Sequence, residues 1–222
     1  MMSLPDKRKM RLVRETRWHR EYALEEPDHY FVESKFADGS AYVTLEDLAR
    51  EWPAWSDWER TDFCQEVGHA TFPHLPDILR FVMRNGDLKT WSGLALNLVH
   101  HLPADEVIPF LIEVCTQCPA GEGTNLLQAL ARSGAPEAHE ILRSHLDRLW
   151  ADERVFREEK FFNSFAADTT FCLQHLLELG ENSPDLAEKY QALLKHPNES
   201  NRRSARHFLS KYFPGVDFGV CS

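Results

Sequence analysis

A chain of 222 residues with 43% hydrophobic and 27% charged side chains, both spread along its length, has a globular composition and not that of a disordered segment. No stretch approaches the ~20 apolar residues that span a bilayer, which excludes a helical membrane protein, and the charged first twenty residues argue against a signal peptide. The net charge of −10 is unevenly placed: residues 1–20 carry seven Lys/Arg against two Asp/Glu, residues 195–222 five against two, and residues 21–194 thirteen against 31. A middle that acidic repels phosphate backbones and suits a basic partner, although surface carboxylates also serve simply to keep a chain dissolved.

In chain order, residues 4–22 read as a basic helix, with Lys7, Arg8, Lys9, Arg11, Arg14, Arg17 and Arg20 around a thin apolar stripe of Met10, Val13 and Trp18. His29 to Phe36 and Ala41 to Leu45 flank Ala37-Asp38-Gly39-Ser40, a turn signal between two β-prone runs that predicts a short hairpin. Residues 1–45 are therefore assigned to an N-terminal extension and 46–222 to a helical domain, with 46–73 as its cap. Ser56-Asp57-Trp58-Glu59 has the form of a capping box and opens a helix over about 57–70.

From residue 74 the chain reads as helix pairs. Pro76-Asp77, Pro103-Ala104-Asp105, Pro136-Glu137 and Pro184-Asp185 each open a first helix, since proline near a first turn sacrifices no hydrogen bond. Gly86, Gly134 and Gly180 end helices, and Asp87 and Thr124 cap second helices. Leu94 and Leu98 recur 32 residues later as Leu126 and Leu130, while an insertion around 152–162 lengthens the third unit. A unit of that size cannot bury its apolar face alone, but stacked neighbours can.

Two junctions carry a family likeness. Leu130-Ala-Arg-Ser-Gly-Ala-Pro-Glu-Ala138 and Leu193-Leu-Lys-His-Pro-Asn-Glu-Ser-Asn-Arg-Arg-Ser-Ala205 resemble the turns of HEAT/armadillo repeats, especially the short bacterial form shared with phycobilin-lyase-like proteins, over about residues 74–213. The resemblance implies an all-α, right-handed α-α superhelix of four to five helix pairs. It does not fix an activity, because such arrays serve as scaffolds, adaptors, lyases and DNA glycosylases.

Constellations that could carry chemistry are sparse. Cys115-Thr-Gln-Cys118 falls at a helix end with no strand before it and no second Cys pair, and reads as ordinary helix-face cysteines. His139-Glu140 resembles one of the His-Glu pairs of deoxyhypusine hydroxylase, but that family's metal site needs four pairs. HEAT-like alkylpurine DNA glycosylases use a basic groove with aromatic side chains, for which Trp18, Trp91, Trp150, Arg202, Arg203, Arg206 and Lys211 are candidates. Trp52, Trp55 and Trp58 read either as a cap over the end of the array, which Pro53 and the capping box favour, or as an aromatic anchor for a partner. No phosphate loop, nucleophile elbow or paired-His helix is present.

The sequence thus predicts a non-enzymatic interaction module, without cofactor or metal, that binds a basic partner protein. Its candidate contacts are Trp52, Trp55, Trp91, Arg202, Arg203 and Arg206. Nucleic-acid binding of the glycosylase type is the alternative. Five cysteines in a chain long enough to fold without crosslinks point to a reduced cytoplasmic setting.

Overall fold

The computed structural model describes residues 10–23, 30–157 and 163–214. The chain divides into two compact units, Met1–Leu102 and Pro103–Ser222. It is mostly helical, with ten α-helices and one three-stranded antiparallel sheet among the described residues.

That sheet corrects the all-α expectation. The described part of the expected basic helix is two strands, β1 (Arg11–Glu15) and β2 (His19–Ala23); residues 4–9 lie outside the described residues. Thr16 makes the turn: its hydroxyl oxygen accepts from the backbone N–H of Trp18 at 3.1 Å and of His19 at 3.0 Å. The thin apolar stripe could not hold a helix to the body, whereas the turn drives Trp18 inward, where it is 3% exposed. The expected hairpin across residues 37–40 is also corrected. β3 (Tyr30–Ser34) pairs with β2, with His19 opposite Ser34 and Tyr22 opposite Phe31. The turn forms, with Gly39 at φ 74 and the Asp38 carboxylate accepting from Ser40 N–H at 2.9 Å. No strand follows it, because residues 41–44 lead directly into the Thr44–Asp47 capping box of α1 (Leu45–Glu51).

In the first unit, α2 (Asp57–Val67) begins at the expected Ser56–Glu59 capping box. The helices α3 (Leu75–Asn85) and α4 (Leu88–His101) follow, with Pro76 in the first turn of one and Asp87 capping the other. Consecutive helices α3 and α4 pack together, α1 lies on α3, and α2 lies on α4. Gly86 between α3 and α4 is not left-handed as expected, with φ −85. A Cβ there would sit 2.7 Å from the Val82 carbonyl oxygen and 2.5 Å from the Thr90 hydroxyl, so close approach is what requires glycine.

The core of this unit is aromatic. Trp18 stacks on Phe36 at 5.3 Å and meets Trp55 and Phe63 at 5.4 and 5.2 Å; Trp52 lies edge-on to Phe81 at 5.8 Å. One tryptophan from the sheet, two from the turn after α1 and one phenylalanine from α2 thereby clamp sheet to helices.

The second unit contains α5 (Ala104–Gln117), α6 (Thr124–Arg132), α7 (Ala138–Trp150), α8 (Ser164–Glu178), α9 (Pro184–Leu193) and α10 (Glu199–Tyr212). Each expected proline stands at or beside the start of a first helix, α5, α7 or α9. Packing follows chain order: α5 with α6, α7 with α8, α9 with α10, then α5 on α7, α6 on α8 and α8 on α10. The insertion contributes a 3-10 turn at Glu153–Phe156, and its residues 158–162 lie outside the described residues.

Phe63 is fully buried among three tryptophans and Phe36. Its replacement by alanine is expected to cost about 3–5 kcal/mol of first-unit stability, read from urea unfolding by tryptophan fluorescence. A loss below about 1 kcal/mol would contradict the clamp.

Candidate functional site

A buried polar network lies inside the second unit. Asp168, in the second turn of α8, is fully buried. Its Oδ2 accepts from the backbone N–H of Gly121 and of Gly123, both at 3.0 Å, and its other oxygen accepts from the Thr124 hydroxyl. Those donors belong to the α5–α6 turn and the start of α6, where Gly123 rather than Thr124 is the N-cap. The carboxylate thus supplies an acceptor that the cap residue lacks, and binds one helix pair to the next.

On its other side, His145 of α7 places Nε2 at 3.6 Å from Asp168, with no hydrogen-bond partner at that atom. His145 Nδ1 lies 2.9 Å from Nη2 of Arg148. A guanidinium only donates, so Nδ1 is the acceptor and the ring proton sits on Nε2, facing Asp168. Arg148 stands at the surface and is tied inward by this contact.

Cysteines surround the network. Cys115 and Cys118 are buried at the C-terminal end of α5, and Cys172 is buried on α8. Burial pushes the Cys115 thiol up to about 12 and the Cys118 thiol up to about 11, the second also raised by the Asp168 carboxylate. Cys172 is raised well above an ordinary thiol by burial. A helix C-terminus offers the negative end of the dipole, the reverse of what activates a thiolate. The Cys–His–Asp group is therefore a closed structural core with no ionised nucleophile. Among the described residues, no three His, Cys, Asp or Glu side chains are grouped to hold a metal ion.

Above this core the surface is concave. A groove of about 290 Å³ between α5 and α7 is lined by Ile112 and Thr116 from one side and by Glu137, Glu140, Ile141, Ser144 and Arg148 from the other. It continues onto the outer face of α7 as an open hollow of about 710 Å³ that includes Arg143 and Asp147. Ile112 and Ile141 are half-buried and form an apolar floor. Of the two arginines there, Arg143 is paired with carboxylates, whereas Arg148 only donates to an imidazole and keeps its charge. Arg148 faces His145, while Arg143 meets Glu181 at 2.9 Å, Asp147 at 3.8 Å and Asp185. Glu137 and Glu140 are exposed and meet no cation among the described residues. The groove therefore presents apolar area bordered by two unpaired carboxylates, Glu137 and Glu140, against one guanidinium, Arg148.

The residues singled out from sequence lie elsewhere. Trp52 and Trp55 are 4% and 9% exposed and belong to the aromatic core, and it is Trp58 that reaches solvent, at 51%. Trp91 is half-buried, its indole N–H donating to the Val82 carbonyl at 3.1 Å. Arg202 caps the preceding turn, donating to the carbonyls of His196 at 2.5 Å and Pro197 at 2.6 Å, and both it and Arg206 pair with Glu199. Arg203 is exposed. The tryptophans are in the first unit and the arginines in the second, so the fold does not gather them within either unit. What the sequence reading missed is the pair of ridges at helical spacing, Ile112/Thr116 and Glu137/Ile141 with Glu140/Ser144/Arg148.

No family model, curated protein or solved structure matches the chain.

The thiols supply a test with a definite sign. A thiol raised by folding stays protonated while its unfolded counterpart, at about 8.5, ionises. The unfolded state then holds fewer protons, so stability is intact below about pH 8.5 and is lost as pH rises through the folded values of about 11 and 12. The melting temperature is expected to fall across that window, and Cys115, Cys118 and Cys172 to resist an aromatic disulfide reagent at about pH 8 until denaturant is added. Rapid native labelling of Cys118 would contradict the closed core.

Proposed function

We propose that the chain is a HEAT-like interaction module, without catalytic activity, that holds a basic amphipathic segment of a partner protein in the α5–α7 groove. The observation that carries this reading is the groove itself, with an apolar floor of Ile112 and Ile141 bordered by Glu137 and Glu140, whose charge no described cation neutralises. Recognition of helices in grooves uses this combination: apolar anchors at helical spacing supply affinity, and bordering charge selects the partner and speeds encounter.

Support for the HEAT-like reading comes from the packing order within each unit. In the first unit α1 lies on α3 and α2 on α4, and in the second α5 lies on α7, α6 on α8 and α8 on α10, an order that a stacked array would give. A right-handed superhelical path for the repeats over about residues 74–213, and a reduced cytoplasmic setting that would leave Cys64, Cys115, Cys118 and Cys172 as free thiols, belong to the same proposal. The nucleic-acid alternative draws less support, because Arg202 and Arg206 are spent on a helix turn and on Glu199.

Binding of a Leu/Lys amphipathic helical peptide, followed by fluorescence anisotropy, tests the groove. At about 50 mM salt the double variant Glu137→Lys/Glu140→Lys is expected to weaken binding about tenfold, and wild-type affinity to fall as salt rises. Equal affinity in the variant, or tighter binding of a Leu/Glu peptide, would contradict the proposal.

A further inference from the structure

The first unit holds a second acidic concavity, at the open edge of the sheet. β3 is an edge strand among the described residues, paired only with β2. Lys35 N–H donates to the Trp18 carbonyl at 2.8 Å, toward β2. Backbone groups alternate along an antiparallel ladder, so the N–H and C=O of Val32 and Ser34 point the other way, out of the edge. The Ser34 carbonyl meets only the turn N–H of Asp38, at 3.4 Å, and Val32 has a side chain 51% exposed. An unpaired strand edge is a template for another strand.

Beside it lies a concavity of about 550 Å³ that wraps this edge. It is lined by Phe31 and Glu33 from one face of β3, Val32 and Ser34 from the other, Ala37 and Asp38 from the turn, and Glu66 and His69 from the end of α2 and just beyond it. Three carboxylates face this space. Arg20 answers two of them, at 3.6 Å from Glu33 and 2.8 Å from Asp38, and His19 lies 3.8 Å from Glu66. Lys35 is turned away onto Glu15 and the Thr16 carbonyl. Asp38 is held down to about 2 by the Ser40 hydroxyl and N–H and by Arg20, so it stays ionised at neutral pH.

The independent sign of a ligand is Ser34. It is 8% exposed and lines the concavity, and among the described residues its Oγ has no hydrogen-bond partner. A buried hydroxyl left so is costly, and an entering N–H donor would satisfy it. The described carboxylates and histidines are not grouped for a metal ion, which leaves a larger organic cation.

We propose that an extended segment of a partner protein adds to the open edge of β3 as a fourth strand and places one Lys or Arg side chain in the concavity, against Glu66 and Ser34. Backbone pairing at the exposed Val32 supplies affinity without regard to sequence, and the acidic recess selects the cationic residue. This deepens the reading of the chain as a module for a basic partner by giving a second contact on the other unit.

The test is an NMR titration of the whole chain with the blocked peptide Thr-Val-Lys-Val-Thr, beside Thr-Val-Glu-Val-Thr and a Lys peptide N-methylated on its pairing edge. The Lys peptide is expected to shift the amides of residues 31–34 and to bind at least about tenfold more tightly than either control. Val32→Pro removes only an outward N–H, a change edge strands tolerate, and is expected to abolish binding; Ser34→Ala and Glu66→Gln are each expected to weaken it several-fold. Unmoved β3 amides, or wild-type affinity in all three variants, would overturn the proposal. So would β3 shifts that depend on protein concentration without peptide, since a second copy would then occupy the edge. If this site fails while the Leu/Lys helix still binds the α5–α7 groove, only the edge site falls. If both fail, the interaction reading falls with it.

Discussion

A pair of helices joined by a short turn has an apolar stripe on each helix but cannot cover both with the other member alone, so each pair needs another pair beside it. The second unit shows how this is met. α8 is packed by α7 within its own pair, by α6 of the pair before and by α10 of the pair after. Its residues Ala166, Cys172, Leu173, Leu176 and Leu177 are all buried. Asp168 adds a polar tie to that apolar contact, because the turn inside one pair, between α5 and α6, has its Gly121 and Gly123 N–H groups satisfied by a carboxylate from the next. Removing the carboxylate would leave three donors without their acceptor, which makes this an interaction of position more than of net energy.

The same network shapes the surface. Arg148 is oriented by its contact with His145 and stays at the groove as a cation, while Arg143 is shared among three carboxylates. The groove's charged border is then Glu137 and Glu140 against Arg148, over Ile112 and Ile141. Core satisfaction and surface character are thus linked on α7: His145 on one face closes over Asp168, and the same ring orients Arg148 at the groove. In the first unit the aromatic clamp has a comparable double effect. Trp18 binds the sheet to α2, and that attachment brings Glu66 beside Ser34 at the strand edge.

Legibility in the sequence followed the range of the forces involved. Helix starts were readable, because Ser56 with Glu59 and Asp87 with Thr90 satisfy each other within one turn, and prolines mark α3, α5, α7 and α9 locally. The sheet was not, since β1, β2 and β3 exist only by pairing with one another, and seven basic residues in the first twenty obscured the alternation. Trp52 and Trp55 could be read from sequence as cap or as anchor, and what the fold shows is that both are buried in the aromatic core. The groove was hidden for a different reason. Glu137 and Glu140 are two among 35 acidic residues, and only the neighbouring helix shows which carboxylates border apolar floor and which merely face water. Likewise, Arg202 and Arg206 looked like a basic surface until the turn carbonyls and Glu199 were in place around them.

Hydrogen exchange of the whole chain, with and without a Leu/Lys amphipathic helix, addresses the central claim most directly. The account predicts new protection confined largely to α5 around Ile112–Thr116 and to α7 from Ala138 to Arg148. Protection concentrated on α9 and α10, or none at a peptide concentration that saturates binding, would contradict it.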